Sequence, residues 1–324
     1  MKLFIKKTIY FSFLVLILPL ILILSIEFQF KEIDISNIYG KYLKLTKDKN
    51  IIPLDILVAG DSRAERQIIP EILKTKSKTN ILNLAISSGD IVRLKDFFTN
   101  RPEAKSLYNY NTTLLISASP KWINDNLQKW GYLSYSTFKY LNFFEKIDIL
   151  KDKKDYFKYV LSIHKHNFRN ILNFYENKSL IDDLGYVSIS GDLTSIKKNN
   201  LKSMILSQKN EFLDIESNGY RWREFKNSLE FLSTEFGRVI IIIPPVSGIW
   251  MNSIKNTPIE VFNKNYVNKL KSLTEDNKMP NTFIWNFYND ENIKLNDNDF
   301  YDTHHLNKFG AEKFSRILAK KLCE

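Results

Sequence analysis

Asp55-Ile56-Leu57-Val58-Ala59-Gly60-Asp61-Ser62-Arg63 is the stretch that decides the fold. Four apolar residues with two β-branched members run into a glycine, an aspartate and a serine. A short apolar run ending in turn residues reads as a strand buried on both faces, as in a parallel sheet. Four further runs have the same character, at residues 80–85, 112–118, 239–243 and 282–287, and Val239-Ile-Ile-Ile-Ile243 is the clearest of them. With the first run at 54–59, they predict a five-stranded parallel sheet.

Helical patterns separate these runs. Residues 66–73 place Ile68, Ile69, Ile72 and Leu73 on one side, although Pro70 interrupts. Residues 261–273 carry Val261, Tyr266, Leu270 and Leu273 as a stripe. Near the C-terminus Ala311, Phe314, Ile317, Leu318 and Leu322 share a face. Strands alternating with helices predict a three-layer α/β/α sandwich. Between Trp122 and Phe236 no strong strand appears. That stretch, at about 122–236, reads as a largely helical insertion with an irregular piece at Gly185-Tyr-Val-Ser-Ile-Ser-Gly191. An insertion of this size tends to sit over the carboxyl ends of the strands, where such folds bind ligands.

The chain has 324 residues and is 44% hydrophobic, enough for one large core or two smaller ones. Its formal net charge of +11 fits either a compositional bias toward lysine or attraction to an anionic surface such as lipid headgroups or an acidic glycan. No stretch has the form of a nucleic-acid-binding module. The single cysteine, Cys323, excludes an intramolecular disulfide, and nothing points to a metal or other cofactor.

The N-terminus carries a membrane signal. Lys2, Lys6 and Lys7 precede residues 8–26, a run of 19 without a charge. That is close to the ~20 residues a spanning helix needs. The lysines favour a cytoplasmic N-terminus and a domain outside the bacterial cytoplasmic membrane. The competing reading is a cleaved signal peptide, but no small-x-small site follows. The expected division is an anchor at 1–30, a polar linker or short helical connector at 31–50, and a domain at 51–324 that contains the insertion.

Ser62 falls just past the end of the first strand, where its backbone N–H would face the start of a helix and suit an oxyanion. Near the other end stands Asp302-Thr-His-His305-Leu306-Asn307. Asp302 and His305, three apart, would share a face in a helical turn. Serine needs a base and the base an orienting carboxylate, so Ser62, His305 and Asp302 have the parts of a catalytic triad. His304 is the alternative base. His164 and His166 read as solvated residues of the insertion. Gly89 follows the second strand and offers an N–H as a second oxyanion donor. Arg63 and Arg66 either hold an anionic substrate or pair with Glu65 and Glu71.

Taken together, Gly60-Asp61-Ser62, Ile86-Ser-Ser-Gly89-Asp90 and Asp302-Thr-His-His305 resemble the blocks of the SGNH, or GDSL, hydrolase superfamily. The resemblance covers about residues 52–118 and 236–320. It implies Ser62 as nucleophile, Asp302 and His305 as acid and base, and the amides of Ser62 and Gly89 as oxyanion donors. The chain departs from the pattern after the third strand, where Gly-x-Asn-Asp is usual and Ala118-Ser119-Pro120 stands instead. Ser119 or Asn124 would then take the missing donor's place. The anchor and Gly60-Asp-Ser-Arg63-Ala-Glu-Arg66 look like the membrane-anchored subset that modifies bacterial surface polymers, such as alginate acetylation and teichoic acid D-alanyl transfer proteins. That subset implies acyl transfer to polysaccharide hydroxyls beside a membrane-bound O-acyltransferase. The alternatives are an extracytoplasmic carbohydrate or lipid esterase, and a non-catalytic assembly protein.

Overall fold

A computed structural model describes residues 6–7, 38–46, 53–74, 79–87, 89–123, 181–210, 212, 219–275, 279–288 and 290–324. Among them the five expected strands form one parallel sheet: β1 (Ile56–Gly60), β2 (Ile81–Asn83), β3 (Thr113–Ser117), β4 (Arg238–Ile243) and β5 (Thr282–Asn286), in the order β2-β1-β3-β4-β5. Ile56 stands opposite Ile81 on one side and Thr113 on the other; Thr113 faces Arg238, and Val239 faces Thr282. The order reverses between β1 and β3. In open α/β sheets a ligand crevice forms at such a reversal, outside the carboxyl ends of the strands.

The apolar runs are continuous because each central strand is covered twice. Leu57, Leu114, Ile116, Val239, Ile241 and Ile243 pack into one core. Their alternating neighbours, Ile56, Val58, Leu115, Ile240 and Ile242, pack into the other. The first core is built with α1 (Ile38–Thr46), α4 (Ile91–Asn100), α6 (Tyr220–Glu235) and α8 (Pro258–Glu275). The second uses α2 (Ser62–Gln67), α3 (Pro70–Leu73) and α9 (Lys308–Cys323). Burying each of these large aliphatic side chains contributes about 1.5–3 kcal/mol. β5 closes one edge and is half covered, with the Arg238 guanidinium 5.5 Å from the Phe283 ring and Lys321 5.4 Å from that of Trp285.

Several expectations are refined. The pattern at 66–73 is two helices, α2 and α3, because Pro70 opens the second. α1 lies within the stretch read as a linker, yet Ile38, Tyr42 and Leu45 belong to the first core. Of the insertion, residues 124–180 lie outside the described ones. The rest includes α5 (Lys198–Asn210), most of α6, and an irregular segment with an antiparallel bridge between Ile181 and Val187. Among the described residues no helix is long and apolar enough to cross a membrane. The run at 8–26 lies outside them, as do Asn124, His164 and His166.

Candidate active site

β1 ends on Gly60 at φ 127°, where a Cβ would lie 2.5 Å from the Ser117 carbonyl oxygen of β3. Only glycine fits this close approach, and it turns the chain into Asp61. Asp61 is extended and caps α2, its carboxylate accepting from the Arg63 N–H at 3.0 Å. The Arg63 guanidinium pairs with that carboxylate at 3.1 Å, and the Ser117 hydroxyl donates to it at 3.3 Å. Burial pushes the Asp61 carboxyl up, but Arg63 and Lys121 outweigh it and hold the pKa below its ordinary value. Ser62 is thus the first residue of α2. Its N–H has no partner within the helix and adds to the positive end of the helix dipole.

The loop carrying Asp302 to His305 is a bend and not the helical turn expected. One carboxylate oxygen of Asp302 accepts the N–H groups of His304 and His305, each at 2.8 Å. The other lies 2.8 Å from His305 Nδ1. The loop closes through a Phe300–Leu306 bridge and the Tyr301 N–H bond to the His305 carbonyl at 2.8 Å. Gln67 of α2 ties it to the serine's helix by donating to the His304 carbonyl at 2.6 Å. Asn307 then caps α9, accepting from the Gly310 N–H.

These pieces bring Ser62 Oγ within 2.8 Å of His305 Nε2. Because Asp302 only accepts, His305 Nδ1 carries the proton and Nε2 presents its lone pair to the serine hydroxyl. Burial raises the Asp302 carboxyl, but the His305 hydrogen bond and charge, with the two backbone N–H bonds, lower it well below the usual range. Asp302 therefore stays ionised. The arrangement can take a proton from Ser62 and stabilise the resulting imidazolium.

The other expected residues fare differently. Ser119 is buried and lines the cleft with Ser62 and His305. Gly89 does not offer a free amide: its N–H donates to the Ile86 carbonyl at 2.8 Å. A glycine is needed there for another reason, since a Cβ would lie 2.3 Å from the Gly60 carbonyl oxygen. Arg63 lines the cleft but is clamped on Asp61, not on Glu65 or Glu71. Arg66 reaches Glu65 at 3.7 Å and donates to the Ser87 hydroxyl at 3.2 Å. Glu65 also accepts from Ser87 at 2.7 Å and lies 3.9 Å from the buried Lys41 ammonium of α1. The histidine that meets the Ser62 hydroxyl is His305, whereas the His304 ring packs against Trp250, with centroids 4.5 Å apart.

Sequence reasoning did not find Lys121, Gln208, Phe212 and Tyr288, which also line the cleft. Gln208 and Phe212 come from the insertion, and no motif marks them. Among the described residues no group of three His, Cys, Asp or Glu could hold a metal ion, and Cys323 is exposed at the end of α9.

No protein-family model matches the chain, and no curated protein matches it. A solved structure described as that of a candidate platelet activating factor from Streptococcus pneumonia is similar at 14% identity and a TM-score of 0.41. The match covers 88% of this chain and 91% of that one. At that identity and score the likeness carries no functional information.

Proposed function

We propose that the protein is a serine O-acyltransferase of SGNH type, anchored in the bacterial cytoplasmic membrane with its catalytic domain outside. The acceptors are hydroxyls of a cell-surface polysaccharide. The observation that carries the chemistry is the unbroken line from Ser62 Oγ to His305 to Asp302, each contact 2.8 Å. The membrane and polymer parts rest on the 19-residue uncharged run behind its lysines and on the motif resemblance.

In this reading Ser62 Oγ attacks the carbonyl of an acyl donor while its proton passes to His305 Nε2. Asp302 steadies the imidazolium through Nδ1–H. The oxyanion is received by the Ser62 N–H at the start of α2, with the Ser119 hydroxyl as second donor. His305 returns the proton to the leaving group. A sugar hydroxyl then gives its proton to His305 and attacks the acyl-enzyme, and His305 passes that proton to the departing Ser62 Oγ, releasing the ester and free Ser62. A membrane-bound O-acyltransferase is the proposed source of the acyl group.

Two other readings follow from particular residues. With water as acceptor the same site is an esterase. The Gly89 N–H, bonded to Ile86, and the missing third-block asparagine favour a non-catalytic assembly protein, because losing one oxyanion donor costs ~10²–10³ in rate. Treating the purified protein with an activated ester and reading intact mass separates the three. An adduct on Ser62 discharged faster by oligosaccharide than by water supports transfer. Discharge to water alone makes it an esterase. If no adduct forms, and a strain carrying Ser62→Ala modifies its surface polymer normally, the assembly role stands.

A further inference from the structure

Two side chains of the cleft have their hydrogen-bonding roles set from behind. Tyr288 follows β5, and its phenol oxygen accepts from Trp250 Nε1–H at 2.8 Å and from Asn263 Nδ2–H at 2.6 Å. Both acceptor directions of the oxygen are then occupied. Burial pushes the phenol up to about 12, so it keeps its proton. Among the described residues no acceptor takes that proton, and Tyr288 lines the cleft.

His304 has the opposite polarity. Thr303 Oγ1 donates to the Gln208 side-chain carbonyl, which can only accept. With its proton used there, the threonine oxygen can only accept from His304 Nδ1, 2.8 Å away. Nδ1 therefore carries the ring proton and Nε2 is a bare acceptor, with no partner among the described residues. Burial, with Arg63 nearby, brings the imidazole down to about 3, so the ring is neutral. Trp250 serves both groups: its N–H holds Tyr288 and its ring packs on His304.

We propose that the Tyr288 O–H and His304 Nε2 form a donor–acceptor subsite for an uncharged hydroxyl, the acceptor alcohol of a sugar or polyol. The assignment rests on the acyl-transfer reading of the same cleft. A hydroxyl can accept from the phenol and donate to the imidazole at once. A carboxylate or a fully ionised phosphate has no proton for Nε2, and an ammonium has no lone pair for the phenol. The Arg63 charge is offset by its ion pair with Asp61.

The test uses the full-length protein in nanodiscs, labelled with ¹⁵N-histidine, with the His304 signal assigned through His304→Gln. His304 should show a protonated Nδ1 and a bare Nε2 that stays bare down to pH 5. Glycerol, the probe, should shift the Nε2 signal saturably, and Tyr288→Phe should raise the half-saturation concentration at least about fivefold, the loss of one hydrogen bond. Gln208→Leu should release the Thr303 proton toward Nδ1, move the ring proton to Nε2 and abolish the glycerol response. A protonated Nε2 in the wild type, or an unchanged half-saturation concentration in Tyr288→Phe, would overturn the subsite. Acylation of Ser62 by an activated acetyl ester is scored separately. A glycerol response without an adduct sinks the acyl chemistry and leaves the subsite standing, whereas an adduct without a glycerol response sinks the subsite alone.

Discussion

Ser62 and His305 stand 243 positions apart in the chain and 2.8 Å apart in space. The contact exists because β1 delivers one residue to the carboxyl edge of the sheet, while the capped start of α9 holds the other against the same edge. Gln67, bonded from the serine's own helix to the His304 carbonyl, sets the distance between the two elements.

Removing any member of this line should cost activity without unfolding the protein. Ser62→Ala and His305→Ala are each expected to lower kcat by about 10⁴–10⁶, and the double variant to be little worse than either alone. Asp302→Asn should cost on the order of 10²–10⁴, because an amide facing Nδ1 favours the wrong tautomer. Ester turnover measured beside circular dichroism checks both halves. Additive losses in the double variant would contradict a concerted triad.

Gly60→Ala should destabilise the protein. The new Cβ meets the Ser117 carbonyl at 2.5 Å and the residue must hold φ 127°. Backbone strain alone is worth ~1–3 kcal/mol. A lower urea midpoint at unchanged slope is the expected result, and a midpoint equal to wild type would show that β1 and β3 can separate there.

Lys41 should make stability depend on pH. Burial, the largest effect, lowers its ammonium from 10.5 to about 8 against the pull of Glu65. Between those values the unfolded chain binds more protons than the folded one, so this group makes stability rise with pH across that window. Urea titrations at pH 8 and pH 10 read the difference, and Lys41→Met should flatten the rise.

The domain should need α1. Ile38, Tyr42 and Leu45 are 7, 4 and 2% exposed, and Lys41 Nζ donates to the Ala85 carbonyl at 2.6 Å. Losing three such burials at about 1.5–3 kcal/mol each approaches the whole stability of a typical domain. A chain starting at residue 51 is expected to aggregate, and one starting at 34 to elute as a folded species with a cooperative melt.

The anchor reading has its own check. A reporter that works only outside the cytoplasm, fused to the C-terminus of the full chain, should be active and sediment with membranes. Activity confined to a cytoplasmic reporter would reverse the topology.

Most of the sheet was legible because its residues answer to local rules. Val239 to Ile243 are apolar without interruption since both faces are covered, and each is fully buried. Gly60-Asp61-Ser62 reads as a strand-to-helix turn from the backbone freedom of glycine and the capping of aspartate. Asp302, His305 and Ser62 were recognisable as residue types with matched chemistry. The bend around Asp302 was not, because its geometry comes from one carboxylate gathering two backbone N–H groups and a ring nitrogen.

By itself, then, the sequence determined where the strands lie, which helices are amphipathic and which three side chains have the chemistry of a triad. Those properties depend on residue type and short-range spacing. Only the tertiary structure decided that α1 belongs to the core, that Arg63 is paired with Asp61, that the Gly89 amide is bonded to Ile86, and that Tyr288 and His304 share one cleft. The physical reason is that a polar group's role is set by which partners occupy its lone pairs and protons. Trp250, Asn263 and Gln208, brought in from separate helices, supply those partners for Tyr288 and, through Thr303, for His304, and no local pattern announces them.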